Sequence, residues 1–279
     1  AALKRKNPDD DVRAVMPLYG QIEEAWRSKM DFVMQMTVPL AWRRQYCGVF
    51  SLVKDGVTVY FLDNEYYFKR PSLYGEYDDA ERFAFFSVAV LELMRDADFF
   101  PDILHANDWQ TALSVVKLKR SYAAYPGYAG VTAVYTIHNI EYQGIYGKEL
   151  LGDVFSLEES DAEIVDYGGA VNLTKGAVVC ADYVTTVSPN YARQIQTEEY
   201  SSGLHFILRQ YGYKIDGIVN GIDTAYYDPG SDPELPYHYS ARGLLGKMKN
   251  KKLPPPLSNR HTNPLMPSKS AAACFHVFK

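Results

Sequence analysis

The sequence predicts a doubly wound, Rossmann-like α/β fold with a parallel sheet and an antiparallel hairpin insertion, and three observations carry this prediction. Four apolar, β-branched runs recur along the chain, helical patterns separate them, and a short polar cluster ends each run. Buried parallel strands read as such continuous apolar runs. Because ligands bind outside the carboxyl ends of parallel strands, the four clusters predict one crevice. The runs with their clusters are residues 103–109, 131–139, 183–189 and 218–223.

The amino-terminal part of the chain predicts the antiparallel hairpin. Residues 12–16 (VRAVM) predict a short strand that ends at Pro17. Asp55-Gly56 then lies between two alternating runs, 49–53 and 57–62, and an Asp-Gly step in that setting is a strong hairpin signal. We therefore expect this section to leave the parallel sheet before the strand–helix rhythm begins.

Helices are predicted between the later strands. Residues 77–94 carry one apolar stripe at helical spacing, and Asp78 or Asp79 can cap its start. A second helix is expected over 109–120 and a third over 174–181. Pro189 stands where a helix favours proline, in its first turn.

Composition excludes several classes of function. The net charge of −5 disfavours nucleic acid as a partner, and the three cysteines show neither metal spacing nor a disulfide framework. The apolar runs are too short to cross a bilayer, so no membrane partner is expected. No G-x-G-x-x-G or G-x-x-x-x-G-K-[ST] phosphate cradle is present in the 279 residues.

Asp108 and His138 are the principal candidate site residues. Asp108 follows the first run and can either accept a sugar hydroxyl or cap the next helix, and the sequence leaves both roles open. Nearby His105 is expected to be a satisfied buried histidine. His138 and Asn139 follow the second run, where imidazole and amide groups can bind hydroxyls; a plain polar loop is the alternative.

Two further features have weaker interpretations. Asn220 and Gly221 follow the fourth run, but Asn-Gly is also a common turn, and without context the turn is favoured. Glu141 could pair with Asp108 as in a glycoside hydrolase, a reading we disfavour because the sequence gives no separation for the two carboxylates.

At these clusters the chain resembles the family of bacterial glycogen synthases and plant starch synthases. The order and spacing of the motifs match as well, over roughly residues 1–250. The resembling segments are 11–19 (DVRAVMPLY), 105–111 (HANDWQT), 136–144 (TIHNIEYQG), 181–192 (ADYVTTVSPNYA) and 219–224 (VNGIDT).

The resemblance implies the amino-terminal, acceptor-side half of a GT-B glycosyltransferase. It implies transfer of glucose from ADP-glucose, the donor substrate, to the non-reducing end of an α-1,4-glucan with retention, and no cofactor or metal. By motif, His138 would contact the transferred glucose, Asp108, Asn220 and Gly221 would bind sugar or acceptor, and Asn139 would support the loop. The location implied is the cytoplasm of a bacterium or the plastid of a plant.

The chain also departs from the family. The Lys-x-Gly-Gly-Leu motif and the first strand are missing from its start, and the second domain is missing from its end. We therefore expect residues 1–240 to form the acceptor-side domain without its first strand, and 241–279 to be a linker and a disordered tail foreign to the family. The chain alone is expected to be inactive; the alternatives are a non-catalytic glucan-binding module and a nonfunctional, poorly folding product.

Overall fold

A nine-stranded sheet forms the centre of the larger of two units in this protein. The computed structural model describes residues 2–224, 227–253 and 275–278. The larger unit comprises Ala1–Ile218 with Ala271–Lys279, and the smaller unit comprises Val219–Ser270.

The strands and helices alternate through most of the larger unit. The strands are β1 Val12–Pro17, β2 Asp31–Leu40, β3 Arg43–Lys54, β4 Val57–Asp63, β5 Ile103–Asn107, β6 Thr132–Ile137, β7 Ile145–Tyr146, β8 Asp166–Tyr167, β9 Ala170–Asn172, β10 Tyr183–Thr186, β11 Ile215–Gly217 and β12 Phe275–Phe278. The α-helices are α1 Ala2–Lys6, α2 Glu24–Arg27, α3 Glu65–Phe68, α4 Asp79–Asp96, α5 Trp109–Lys117, α6 Leu150–Asp153, α7 Ala162–Val165, α8 Leu173–Cys180, α9 Pro189–Gln194, α10 His205–Gln210 and α11 Leu245–Lys252.

The large sheet has the strand order β11-β10-β6-β5-β12-β1-β4-β3-β2, while β7, β8 and β9 form a separate small sheet. Strands β5, β6, β10 and β11 are parallel, and β1 is parallel to β4. Strand β3 is antiparallel to both β2 and β4, and β12 is antiparallel to both β1 and β5. This arrangement confirms the predicted Rossmann-like α/β class with an antiparallel insertion.

Burial follows the predicted apolar runs. Leu104 of β5, Ala133 of β6 and Val184 of β10 are fully buried, as continuous apolar runs require. Helix α4 confirms the predicted helix over 77–94, and nearly all of its residues are buried. Asp78 takes its N-cap position without a side-chain capping bond, and its Oδ2 pairs with Arg70 Nη2 at 2.9 Å.

The predicted hairpin is confirmed between β3 and β4. Lys54 pairs with Val57, so Asp55 and Gly56 are the two turn residues. Both have positive φ, 51° and 76°, which is the conformation that a two-residue hairpin turn matched to strand twist requires.

The fourth predicted strand, the apolar run at Ile218-Val219 before the polar cluster 220–223, is wrong in position. Strand β11 ends at Gly217, and beyond it Ile218, Val219 and Ile222 are 61%, 69% and 73% exposed. Among the described residues, β11 pairs only with β10 and is therefore the edge of the described sheet, where apolar residues need not be buried. The run at 218–223 was thus a misleading signal for a buried strand.

The carboxyl-terminal part has regular structure in two places. Helix α11 lies in the smaller unit, where the Asn250 amide accepts from Tyr237 N at 3.1 Å and donates to Tyr237 O at 2.7 Å. Residues 275–278 form β12 of the large sheet. The rest of the predicted tail, 254–274 and Lys279, lies outside the described residues.

Candidate active site at the ends of β5 and β6

Asp108 lies where β5 meets α5, and its backbone has an unusual conformation. Its N–H donates to Thr136 O at 2.9 Å, which joins the carboxyl ends of β5 and β6. Its φ of 56° with ψ of 179° is sparsely populated by residues other than glycine and stores about 1–3 kcal/mol of strain. Such strain persists where the surrounding structure over-determines it, and functional sites are where it concentrates.

The carboxylate of Asp108 binds the loop after β6. Its Oδ1 accepts from His138 N at 2.8 Å and from Asn139 N at 3.4 Å. It makes no capping bond to α5. The helix-capping alternative is therefore excluded for the side chain, and its role is to fix the main chain of His138.

His138 is half-buried and tied to β5. Its Nε2 lies 3.0 Å from Oδ1 of Asn107, the last residue of β5. An amide oxygen can only accept, so this contact places a proton on Nε2 of His138. Asn139 is exposed, and its own Oδ1 accepts from Glu141 N at 3.0 Å. Asn139 thus contacts its own loop, and its predicted supporting role in the reaction stays a prediction.

Burial is the main influence on the pKa of the Asp108 carboxyl. Desolvation raises the pKa of its carboxyl above the ordinary value, and the backbone bonds from His138 and Asn139 together with the His138 charge only partly offset it. A carboxyl with a raised pKa beside a half-buried imidazole is typical of functional sites.

The loop after β6 is held by a second group of contacts. Tyr191 Oη accepts from Ile140 N at 3.2 Å. Gln143 Nε2 donates to Ile140 O at 2.9 Å, and Gln143 Oε1 accepts from Asn172 Nδ2 at 2.7 Å. The loop is therefore rigidly placed, which a positioning site requires.

Gly144 ends this loop in close contact with a ring. Its φ is 64°, and a Cβ built there would lie 2.8 Å from Trp109 Cε3. The positive φ and this close contact both favour glycine at position 144. Trp109 in turn packs edge-on against Phe83 of α4 at 5.1 Å between centroids, so the loop rests on the core.

Hydrogen bonds between side chains link three strands beneath the site. His105 Nε2 and Thr136 Oγ1 lie 2.6 Å apart, and Thr136 Oγ1 and Thr185 Oγ1 also lie 2.6 Å apart. His105 is thus a satisfied histidine, as predicted. Thr186 Oγ1 donates to Ile137 O at 2.7 Å, which adds a second tie between β10 and β6.

Sequence reasoning missed Asn107, Tyr191 and Gln143. Asn107 directly precedes Asp108 at the predicted strand end, so its position alone was a usable signal. Tyr191 and Gln143 gave none, because their contacts depend on how α9 and the loop pack in three dimensions.

Asn220 and Gly221 belong to the smaller unit and are exposed, without regular secondary structure. A Cβ at Gly221 would meet nothing within 4 Å among the described residues. Their predicted contact with sugar or acceptor stays a prediction. Asp108, His138 and Asn139 are the candidate residues that the larger unit brings together.

The described residues lack two kinds of feature. They contain no group of three or more histidine, cysteine or acidic residues that could hold a metal ion. None of the helices in ranges 2–224 and 227–253 combines the length and apolarity that crossing a membrane needs.

Comparison with known proteins decides the family. A sequence model described as the starch synthase catalytic domain matches residues 1–210. The chain belongs to the starch synthase catalytic domain family. The predicted family is thus confirmed, and with it the Rossmann-like α/β fold that the sequence predicts.

Similar proteins carry two related names. A glycogen synthase of Ligilactobacillus salivarius is 46% identical over 248 residues, 88% of this chain and 52% of that protein. One from Bacillus cereus is 43% identical over 244 residues, 87% of this chain and 51% of its own length. A solved structure, the catalytic domain of starch synthase IV from Arabidopsis thaliana bound to ADP and acarbose, superposes with a TM-score of 0.74 at 32% identity, covering 85% of this chain and 50% of that one. The chain spans about half the length of the relatives it matches.

Proposed function

We propose that this chain is the acceptor-side half of an ADP-glucose-dependent glucan synthase. The reaction would transfer glucose to the non-reducing end of an α-1,4-glucan with retention. The carboxylate of Asp108 fixed on the amides of His138 and Asn139 carries the proposal, because it builds one rigid polar cluster at the ends of two parallel strands.

The proposed roles follow from what each group can do. His138 would contact the transferred glucose through its ring and main chain, both of which are fixed by neighbours. Asp108 would orient that main chain and, through Oδ2, bind a hydroxyl of sugar or acceptor. Asn139 would support the loop. Such a cluster catalyses by positioning and by preorganised electrostatics.

The proposed ligands are a nucleotide sugar and a glucan. The related plant structure was obtained with ADP and with acarbose, which is consistent with both ligand classes. Asn220 and Gly221 would contribute contacts to sugar or acceptor. Because the relatives include bacterial glycogen synthases, we place the reaction in the cytoplasm if the source is a bacterium.

We further propose that the 279-residue chain alone binds glucan without transferring glucose. The named residues of the cluster are a carboxylate, an imidazole and amides, with no lysine or arginine to meet a diphosphate. Desolvating an unpaired anion is costly. The second candidate function, a glucan-binding module, is therefore the expected behaviour of this chain by itself.

A fusion tests the proposal. Residues 1–250 would replace the matching segment of the Ligilactobacillus salivarius glycogen synthase, whose remaining parts would supply the first strand, its Lys-x-Gly-Gly-Leu motif and the second domain. Incorporation of glucose from ADP-glucose into glycogen would then be measured. We expect transfer by the fusion, a loss of roughly 100-fold or more in His138→Ala, and little change in the matched His205→Ala. An inactive but folded fusion, or equal activity in both variants, contradicts the proposed function.

A binding assay tests the chain alone. Electrophoresis through a gel containing glycogen should retard the 279-residue chain, and incubation with ADP-glucose should yield no labelled glucan. Transfer by the chain alone refutes the claim of inactivity, and unretarded migration refutes glucan binding.

A further inference from the structure

A cavity with three tyrosines in its walls lies beside the carboxyl-terminal end of α4. We call it the tyrosine cavity. Its volume is about 520 Å³, within the range of roughly 300–1,000 Å³ that small-molecule sites occupy. Strand β2, helix α4 and the segment after α5 all contribute to its lining, with Pro39, Glu92, Arg95, Tyr122, Tyr125 and Tyr128 among the residues.

The tyrosine cavity is separate from the Asp108 cluster. Helix α5 begins at Trp109, directly after Asp108, and the helical segment Leu118–Tyr122 continues it. Because an α-helix rises about 1.5 Å per residue, the end of this segment lies roughly 20 Å from the cluster. The α4 residues of the cavity lie near the end of the helix that precedes β5, whereas the cluster follows β5. A ligand in the tyrosine cavity therefore occupies a different site from one bound at the cluster.

The tyrosine rings form a fixed apolar surface. Tyr122 packs edge-on against Tyr125 and Tyr128, with ring centroids 6.2 and 5.1 Å apart. Tyr128 also packs edge-on against Phe100 at 5.0 Å. The hydroxyl of Tyr122 donates to Glu92, and that of Tyr128 donates to a backbone carbonyl of α4 at 2.7 Å. With these hydroxyls bonded and Tyr125 61% exposed, the rings offer a ligand chiefly their flat apolar faces.

An arginine is held beside these rings. Glu92 is 3% exposed, and its Oε2 pairs with Arg95 Nη2. Arg95 also pairs through Nε with Asp96 Oδ1 at 2.8 Å. A guanidinium has five N–H donors, and the Arg95 side chain is 55% exposed. Its remaining donors can therefore bind hydroxyl groups of a ligand.

A glucosyl unit matches this combination of groups. The faces of its ring carry C–H groups, which stack on aromatic rings, and its edge carries hydroxyls, which need hydrogen-bond partners. A purely apolar ligand would instead cover the arginine donors without replacing their water, which is costly. Aromatic walls with a few placed polar groups are typical of sites that bind and orient such ligands.

We propose that the tyrosine cavity is a second glucan-binding site, in which a glucosyl unit stacks on Tyr125 and hydrogen-bonds to Arg95. The proposal rests on the proposed glucan substrate and adds a separate site for the same polymer. Its role is retention, because a branched or long glucan held in the cavity raises the effective concentration of its other ends at the Asp108 cluster.

Backbone amide shifts in the labelled 279-residue chain, titrated with a maltooligosaccharide, report the two sites separately. We expect saturable shifts at residues 121–128 in addition to those at residues 138–140. Tyr125→Ala should weaken the binding measured at 121–128 about fivefold or more, because a stacking face is lost, and leave the Kd measured at 138–140 unchanged. The matched control is Tyr183→Ala in β10, since Tyr183 is also 61% exposed, and it should change neither Kd.

The results distinguish the second site from the proposed function. Shifts at 138–140 with residues 121–128 unmoved overturn the second site and leave the proposed function standing. Shifts at 121–128 alone support the second site and contradict sugar binding at the Asp108 cluster. Equal Kd values at 121–128 in Tyr125→Ala and Tyr183→Ala overturn the proposed stacking in the tyrosine cavity.

Discussion

At the scale of single residues, the strained backbone of Asp108 positions its carboxylate to hold the loop after β6. Its positive φ turns the chain out of β5, and its Oδ1 then reaches the amides after β6. The sequence predicted Asp108 as a candidate because it follows an apolar run. It left open whether the side chain caps α5, since the φ that decides this depends on the pairing of β5 with β6.

Two substitutions of Asp108 distinguish the effect of its hydrogen-bond acceptor on stability from the effect of its negative charge. Asp108→Ala removes the acceptor of the His138 amide, so we expect a loss of about 1–3 kcal/mol in the free energy of unfolding. Asp108→Asn keeps an oxygen acceptor and tolerates positive φ, so its loss should be smaller. Urea unfolding of both variants checks this, and equal losses would contradict the assigned contact.

The pH dependence of stability follows from the burial of Asp108. Burial raises its folded pKa above the ordinary value of 3.8. The folded state then binds the proton more tightly than the unfolded chain, so stability falls as the pH rises from about 3.8 through the folded pKa. The free energy of unfolding of the wild type minus that of Asp108→Asn should therefore decrease between pH 4 and pH 7. A difference that grows over this range contradicts the assigned burial effect.

At the scale of elements, the sequence predicts correctly those helices and hairpins whose signals are local. The β3–β4 hairpin and α4 were predictable because a turn dipeptide and a 3.6-residue stripe are local signals. The strand expected at 218–219, before the cluster 220–223, was wrong because an apolar run does not indicate whether a strand lies at the centre or the edge of a sheet. Strand β11 is such an edge, and the exposed Val219 follows it.

Gly144 offers a matched test of loop packing against α5. Gly144→Ala places a methyl group 2.8 Å from Trp109 at a φ of 64°, whereas Gly168→Ala has nearly the same φ, 63°, with nothing within 4 Å. We expect Gly168→Ala to cost about 1–2 kcal/mol from the backbone alone, and Gly144→Ala to cost a further 1–3 kcal/mol, roughly, from overpacking. Thermal unfolding measures both, and equal costs would exclude the close contact with Trp109.

At the scale of the whole molecule, the large sheet pairs strands that follow one another in sequence as well as strands that are far apart in sequence. The parallel strands β5, β6 and β10 follow from consecutive apolar runs, as predicted. The pairing of residues 275–278 with β1 and β5 joins segments that are far apart in sequence. Hydrophobic periodicity is read in windows of roughly 11–18 residues, so it cannot predict which distant strands pair. The three-dimensional cluster of Asn107, Asp108 and His138 could be expected from strand ends, whereas its supports from α9 and the 143–144 turn required the packed structure.

Glucan binding at the Asp108–His138 edge is most directly measured by mapping backbone amide shifts in the labelled 279-residue chain during titration with a maltooligosaccharide. We predict that the largest saturable shifts occur at the amides of residues 138–140, and that Asp108→Ala abolishes them while Gly168→Ala does not. Saturable shifts confined to other surfaces, with residues 138–140 unmoved, would contradict the assignment of this edge as the sugar site.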